Sequence, residues 1–66
     1  MSDELIHAEN QIEALIRRSA SPRTAESVIK DLVGKGLHEE TLRAAVWFLI
    51  DGERIRLTEN LRLVPA

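Results

Sequence analysis

Between residues 37 and 55 the chain reads LHEETLRAAVWFLIDGERI, with apolar positions recurring every three to four residues. That spacing predicts a helix of about four turns. Leu42, Ala45, Val46 and Leu49 fall on one side of it, and Glu40, Ala44, Trp47 and Asp51 on the other. Leu37 is the apolar residue at the entrance, His38 takes the cap position and Glu39 and Glu40 fill the first turn, where the helix dipole favours negative charge. The helix runs to Asp51, and Gly52 is its expected stop.

The same period appears earlier in the chain. Residues 2–18 place Leu5, Ala8, Ile12, Leu15 and Ile16 on one face, with Ser2 or Asp3 as cap and Arg17 and Arg18 at the closing end. Ile6 lies beside this stripe. SASPR at residues 19–23 interrupts the pattern, because Pro22 lacks a donor and pushes Ser21 out of helical geometry. Thr24 then caps a second helix with Ala25, Val28, Ile29 and Leu32 inward. Gly34-Lys35-Gly36 ends it through the left-handed conformation open to glycine.

After Gly52 the period becomes two, in Arg54-Ile55-Arg56-Leu57 and again in Leu61-Arg62-Leu63, which predicts a hairpin. A loop of Thr58, Glu59 and Asn60 would set Leu57 opposite Leu61 and Ile55 opposite Leu63, keeping one face apolar, with Asn60 in the left-handed position. Ile55, Leu57, Leu61 and Leu63 are then expected to face the helices, and Arg54, Arg56 and Arg62 to face water. Pro65 suits the end of an edge strand.

Three helices and a hairpin use all 66 residues as a single domain, mainly α, spanning 1–66. The 44% hydrophobic content suffices for a globule, and the chain has no cysteine for a disulfide or thiolate metal site. No apolar run approaches the roughly 20 residues needed to span a bilayer, so no membrane is expected as partner. The acidic start MSDELIHAEN is unlike a secretory or transit segment, and the expected location is cytoplasmic. The formal net charge of −2 disfavours non-specific polyanion binding, yet the last stretch carries Arg54, Arg56 and Arg62 against Glu59 alone.

This order of elements, with Leu37-His38-Glu39-Glu40-Thr41-Leu42-Arg43 leading through Leu49 into Asp51-Gly52-Glu53-Arg54-Ile55, resembles a winged helix-turn-helix. Such domains usually carry a short strand between the first two helices, and here Ala20 to Arg23 leaves room for a residue or two of it. The resemblance implies that the third helix enters the DNA major groove and that the hairpin, as wing, touches backbone or minor groove. Arg43 would then contact bases or phosphate, Thr41 would donate to a phosphate, Arg54, Arg56 and Arg62 would form the wing's footprint, and Arg23 and Lys35 would flank it.

Each of these residues has a plainer reading. The hairpin arginines can simply guard an edge strand, and Arg43 can pair with Glu39 or Glu40. Glu39 and Glu40 would themselves face phosphate, at a cost in affinity. Trp47, with Glu40, Ala44 and Asp51, could anchor a protein partner; the alternative, ranked ahead of it, is that the first helix or the hairpin covers the indole. Phe48 is expected at the edge of the core, against the first helix. His7 and His38 lie on different elements without further ligands, which argues against a metal. No nucleophile stands beside a base and no phosphate loop is present, so neither an enzyme nor a cofactor is expected.

Two functions follow as expectations. The first is a small DNA-binding protein of the transcriptional-regulator kind, with double-stranded DNA as partner. The alternative is a protein–protein interaction or dimerisation module working through the face around Trp47. Homodimerisation through Ile6 and the first helix is compatible with both.

Overall fold

The computed structural model describes residues 3–66. Three helices, α1 (Asp3–Arg18), α2 (Ala25–Val33) and α3 (Glu39–Asp51), are joined by a small antiparallel sheet of β1 (Arg23–Thr24), β2 (Ile55–Leu57) and β3 (Arg62–Pro65), in the order β1-β3-β2. The layout is mainly helical and compatible with a helix-plus-wing arrangement. Of the two expected caps of α1, Ser2 lies outside the described residues and Asp3 belongs to the helix itself.

The core is one cluster to which every element except β1 contributes. It gathers Ala8, Ile12, Leu15 and Ile16 from α1, Val28, Ile29 and Leu32 from α2, and Leu42, Ala45, Val46 and Leu49 from α3. Ile55 and Leu63 close it from the sheet. The helical stripes expected from the sequence are therefore the buried ones, with Leu5 and Ala25 at the margin. The packing of α1 on α3 is the most extensive of the fold.

Thr24 does two things. It pairs with Arg62 as the second residue of β1, and its hydroxyl accepts from the Ser27 amide at 3.2 Å as the N-cap of α2. At the other end of α2 the left-handed position belongs to Gly36, with φ 98°, whereas Gly34 stays right-handed at φ −61°. The Gly36 amide donates to Val33 and the Leu37 amide to Leu32, a pair of bonds that satisfies the last carbonyls. Helix α3 ends the same way one residue beyond its expected stop. Gly52 is right-handed at φ −82°, and Glu53 takes the left-handed turn at φ 58° while Arg54 donates to Leu49. His38 caps α3 without a side-chain hydrogen bond.

The hairpin register differs from the one expected. Leu57 lies opposite Leu63, Arg56 opposite Val64 and Ile55 opposite Pro65. The loop is still three residues, but it is Glu59, Asn60 and Leu61, and Leu61 rather than Asn60 has the positive φ, 61°. Thr58 stabilises this shifted loop, its amide donating to the Arg62 carbonyl at 2.8 Å and its hydroxyl accepting from the Arg62 amide at 3.1 Å. The shift of two in the pairing preserves which face each strand residue takes, so Ile55 and Leu63 are buried as expected, each 1% exposed. Leu57 and Leu61 are not: the hairpin runs out past the helices, leaving them 41% and 67% exposed.

Pro65 closes the central strand of the sheet, not an edge strand. Because Thr58 and Arg62 form a hydrogen-bonded pair, alternation along the ladder makes Ile55 and Pro65 a non-bonded one. The missing proline donor would point to the β1 side, and β1 pairs with β3 only as far as Leu63.

Candidate interaction face

Glu40, Ala44, Trp47 and Asp51 form an exposed stripe along α3, as the helical period requires. Trp47 is 63% exposed, so neither α1 nor the hairpin covers it. It lines a cavity of about 250 Å³ in which Ile29, Val46, Leu57 and Leu63 meet the paired Arg43 and Glu26. Phe48, expected at the core's edge, is 54% exposed; it lies about 100° around the helix from Leu49, beyond the line along which α3 is buried. Leu57 also borders a second cavity, of about 440 Å³, with Ile50 and Ile55 and with the charged Glu53 and Arg56. Apolar side chains of α3 and the hairpin thus share two cavities, each also lined by an acidic and a basic residue.

The candidate DNA-contacting residues separate into two sets. Arg43 donates through Nε to Glu39 at 3.0 Å and through Nη1 to Glu26 at 3.0 Å, and these two carboxylates, Glu26 first, raise its pKa. Arg23 bonds the Ser27 hydroxyl and the Asp31 carboxylate, both at 2.6 Å. Arg54 reaches back to α1, donating to Glu13 at 2.5 Å and lying 3.9 Å from Glu9. Thr41 donates to Glu4 at 3.2 Å. In the other set, the side chains of Lys35, Arg56 and Arg62 have no hydrogen-bond or ion-pair partner among the described residues.

Glu13 is the hub of the α1 side. The Arg54 hydrogen bond is the main reason its carboxyl is held below the usual glutamate range, with Arg17, at 3.1 Å, adding to it. Sequence spacing exposes the Arg43–Glu39 and Arg17–Glu13 pairs, which are four residues apart on one helix. It gives no signal for Glu26 or for Glu13 with Arg54, which meet only through tertiary packing.

The two histidines, separate in sequence, do line one cavity of about 240 Å³ with Glu4, Lys35 and Thr41. The His38 Nε2 lies 3.9 Å from the Glu4 carboxylate. Among the described residues no group of three acidic or histidine side chains is placed to hold a metal ion. Ile6, considered for dimerisation through α1, is 41% exposed with polar neighbours Asn10 and His7 also at the surface. No helix in residues 3–66 is long and apolar enough to cross a membrane. Compared with models of known protein families, with curated proteins and with solved structures, the chain gives no match.

Proposed function

We propose that this chain is a winged-helix interaction module that binds protein through the face between α3 and the hairpin. The helix order, the short β1 and the β1-β3-β2 sheet support the winged-helix reading. The observation that carries the function is the state of the helix that would enter DNA. Its outward stripe offers Glu40, Ala44, Trp47 and Asp51, and its one arginine, Arg43, is already engaged by two carboxylates. A phosphate approaching this surface would meet uncompensated negative charge. An indole 63% exposed beside a cavity lined mostly by apolar side chains is instead the kind of anchor that concentrates binding energy between proteins.

DNA binding is the second reading, favoured by Arg56, Arg62 and Lys35, three cations with no partner of their own among the described residues. It requires the hairpin and the α2–α3 turn, rather than α3, to supply the contacts.

A photo-crosslinking amino acid placed at position 47, with position 6 as control, tests the first reading in the cells that express the protein. The expected result is an adduct of one defined mass at 47, competed by unlabelled wild-type protein and missing at 6. No adduct at 47 would overturn it. A labelled random-sequence duplex tests the second. Binding at low salt that falls steeply as salt rises, and is lost in Arg56→Glu/Arg62→Glu, would favour DNA; no binding even at low salt would remove it.

A further inference from the structure

We infer that the segment bound at Trp47 is basic and amphipathic, with an apolar side chain against the indole and lysine or arginine side chains reaching Glu40 and Asp51; this rests on the interaction reading above. Most charges around Trp47 cancel within the chain. Glu26 and Glu39 each hold the Arg43 guanidinium at 3.0 Å. Lys30 lines the adjoining cavity, of about 360 Å³, with these three, so the cluster has two cations for two carboxylates. Toward the hairpin, Glu53 and Arg56 line one cavity and balance each other. Glu40 and Asp51 remain. Both are exposed on the stripe of Trp47, and neither carboxylate has a hydrogen-bond or ion-pair partner among the described residues.

The helix spaces these two for one ligand. Glu40 lies two turns before Trp47 and Asp51 one turn after it, about 10 Å and about 6 Å along the axis on the same side. Between them the surface is Ala44 and the indole, whose face itself attracts cations. Beside the indole, Ile29, Val46, Leu57 and Leu63 offer apolar contact. A segment with an apolar anchor and a cation on each side of it satisfies all of these groups. An acidic segment or a nucleic acid would meet Glu40 and Asp51 as like charges, and a second copy offering this same face would set carboxylates against carboxylates.

The two contributions differ in kind. The indole is the anchor that supplies binding energy. The carboxylates are exposed and screened by water, so they select the partner by sign more than they add affinity.

Trp47 is the single tryptophan of a chain without tyrosine, so its fluorescence reads this site alone. The probe is a synthetic amphipathic peptide of leucine and lysine, about four helical turns long, and its counterpart is the same peptide with every lysine replaced by glutamate. The expected result is a saturable shift of Trp47 emission to shorter wavelength with the lysine peptide, at least about tenfold tighter than with the glutamate peptide, and weaker as salt rises. Asp51→Lys should weaken the lysine peptide about fivefold or more, whereas Glu59→Lys, the same change of net charge on the hairpin loop, should weaken it less than about twofold. Both positions are exposed, lysine suits the end of a helix, and circular dichroism checks that each variant folds. No shift with the lysine peptide, equal binding of the glutamate peptide, or equal losses in the two variants would overturn the inference. The crosslink at position 47 separates that failure from failure of the interaction reading: an adduct there keeps the reading and assigns it a partner that is not basic, and no adduct removes both.

Discussion

The two ends of the hairpin share one alternating sequence and meet different fates. At its base, Ile55 and Leu63 are each 1% exposed, and Arg54 is tied to Glu13 and Glu9 of α1. Toward its tip, Leu57 and Leu61 are 41% and 67% exposed, and the side chains of Arg56 and Arg62 have no hydrogen-bond or ion-pair partner among the described residues. Alternation states which face a residue takes, but the depth of burial depends on how far the helices reach beneath it. Here they reach the base only. The base is a structural joint, and the tip is surface held out from the body.

The largest effect expected from this contrast lies in the apolar pairs. Ile55→Ala empties a fully buried site and should cost roughly 2–5 kcal/mol, enough to unfold much of a domain this small. Leu57→Ala, at a site already 41% exposed, should cost less than about 1 kcal/mol. Urea denaturation followed by circular dichroism measures both. Equal costs would mean that the tip is packed as well as the base, and the contrast would be lost.

Much of this contrast could be read from the chain, and its missing part has a physical cause. The stripes of α1, α2 and α3 were legible because each helix turns one face inward at a fixed period. The candidate face was legible as far as Glu40, Ala44, Trp47 and Asp51, which the same period sets opposite the core. The exposure of Trp47 itself was not, since it depends on where α1 and the hairpin stop. The register slipped by one loop residue because Asn60 is the easier left-handed residue, whereas the Thr58 hydroxyl bonds the Arg62 amide and moves the turn onto Leu61. The neutralisation of Arg43 by Glu26 and of Arg54 by Glu13 crosses between elements, and no spacing rule announces it.

A smaller effect is expected from the arginines. Arg54→Glu sets a third carboxylate against Glu13 and Glu9 and should cost roughly 1 kcal/mol, since the arginine is 43% exposed and screened by water. Arg62→Glu should change stability by less than about 0.5 kcal/mol. The base pair also carries a pH signature. The folded Glu13 carboxyl is held below its unfolded value, so its contribution is fully present above about pH 4.5 and is lost as pH falls through the folded value. Denaturation midpoints of Glu13→Gln should therefore converge on those of wild type in acid and lie below them at neutral pH. A constant gap across that range would assign the pair no role in stability.

A comparably small effect of the opposite sign separates folding from function at the tip. Leu61 sits at φ 61°, where an L-residue is strained by about 1–2 kcal/mol. Leu61→Gly removes that strain but adds freedom to the unfolded chain, leaving a net gain of roughly 0.5 kcal/mol in stability, read as a higher thermal midpoint by circular dichroism. Glu53→Gly, at φ 58° in the turn after α3, makes the matching change at the base of the hairpin and should gain a similar amount. The two substitutions part company in association. Glu53→Gly removes one charge beside Arg56, whereas Leu61→Gly strips the tip of its most exposed leucine and should weaken crosslinking to a partner through position 47 more, while stabilising the fold. A leucine kept at a strained and exposed position against the interest of stability is explained by contact with something outside the chain. A Leu61→Gly variant that is no more stable than wild type would instead mean that the side chain repays its strain within the hairpin, and the tip would need no partner to account for it.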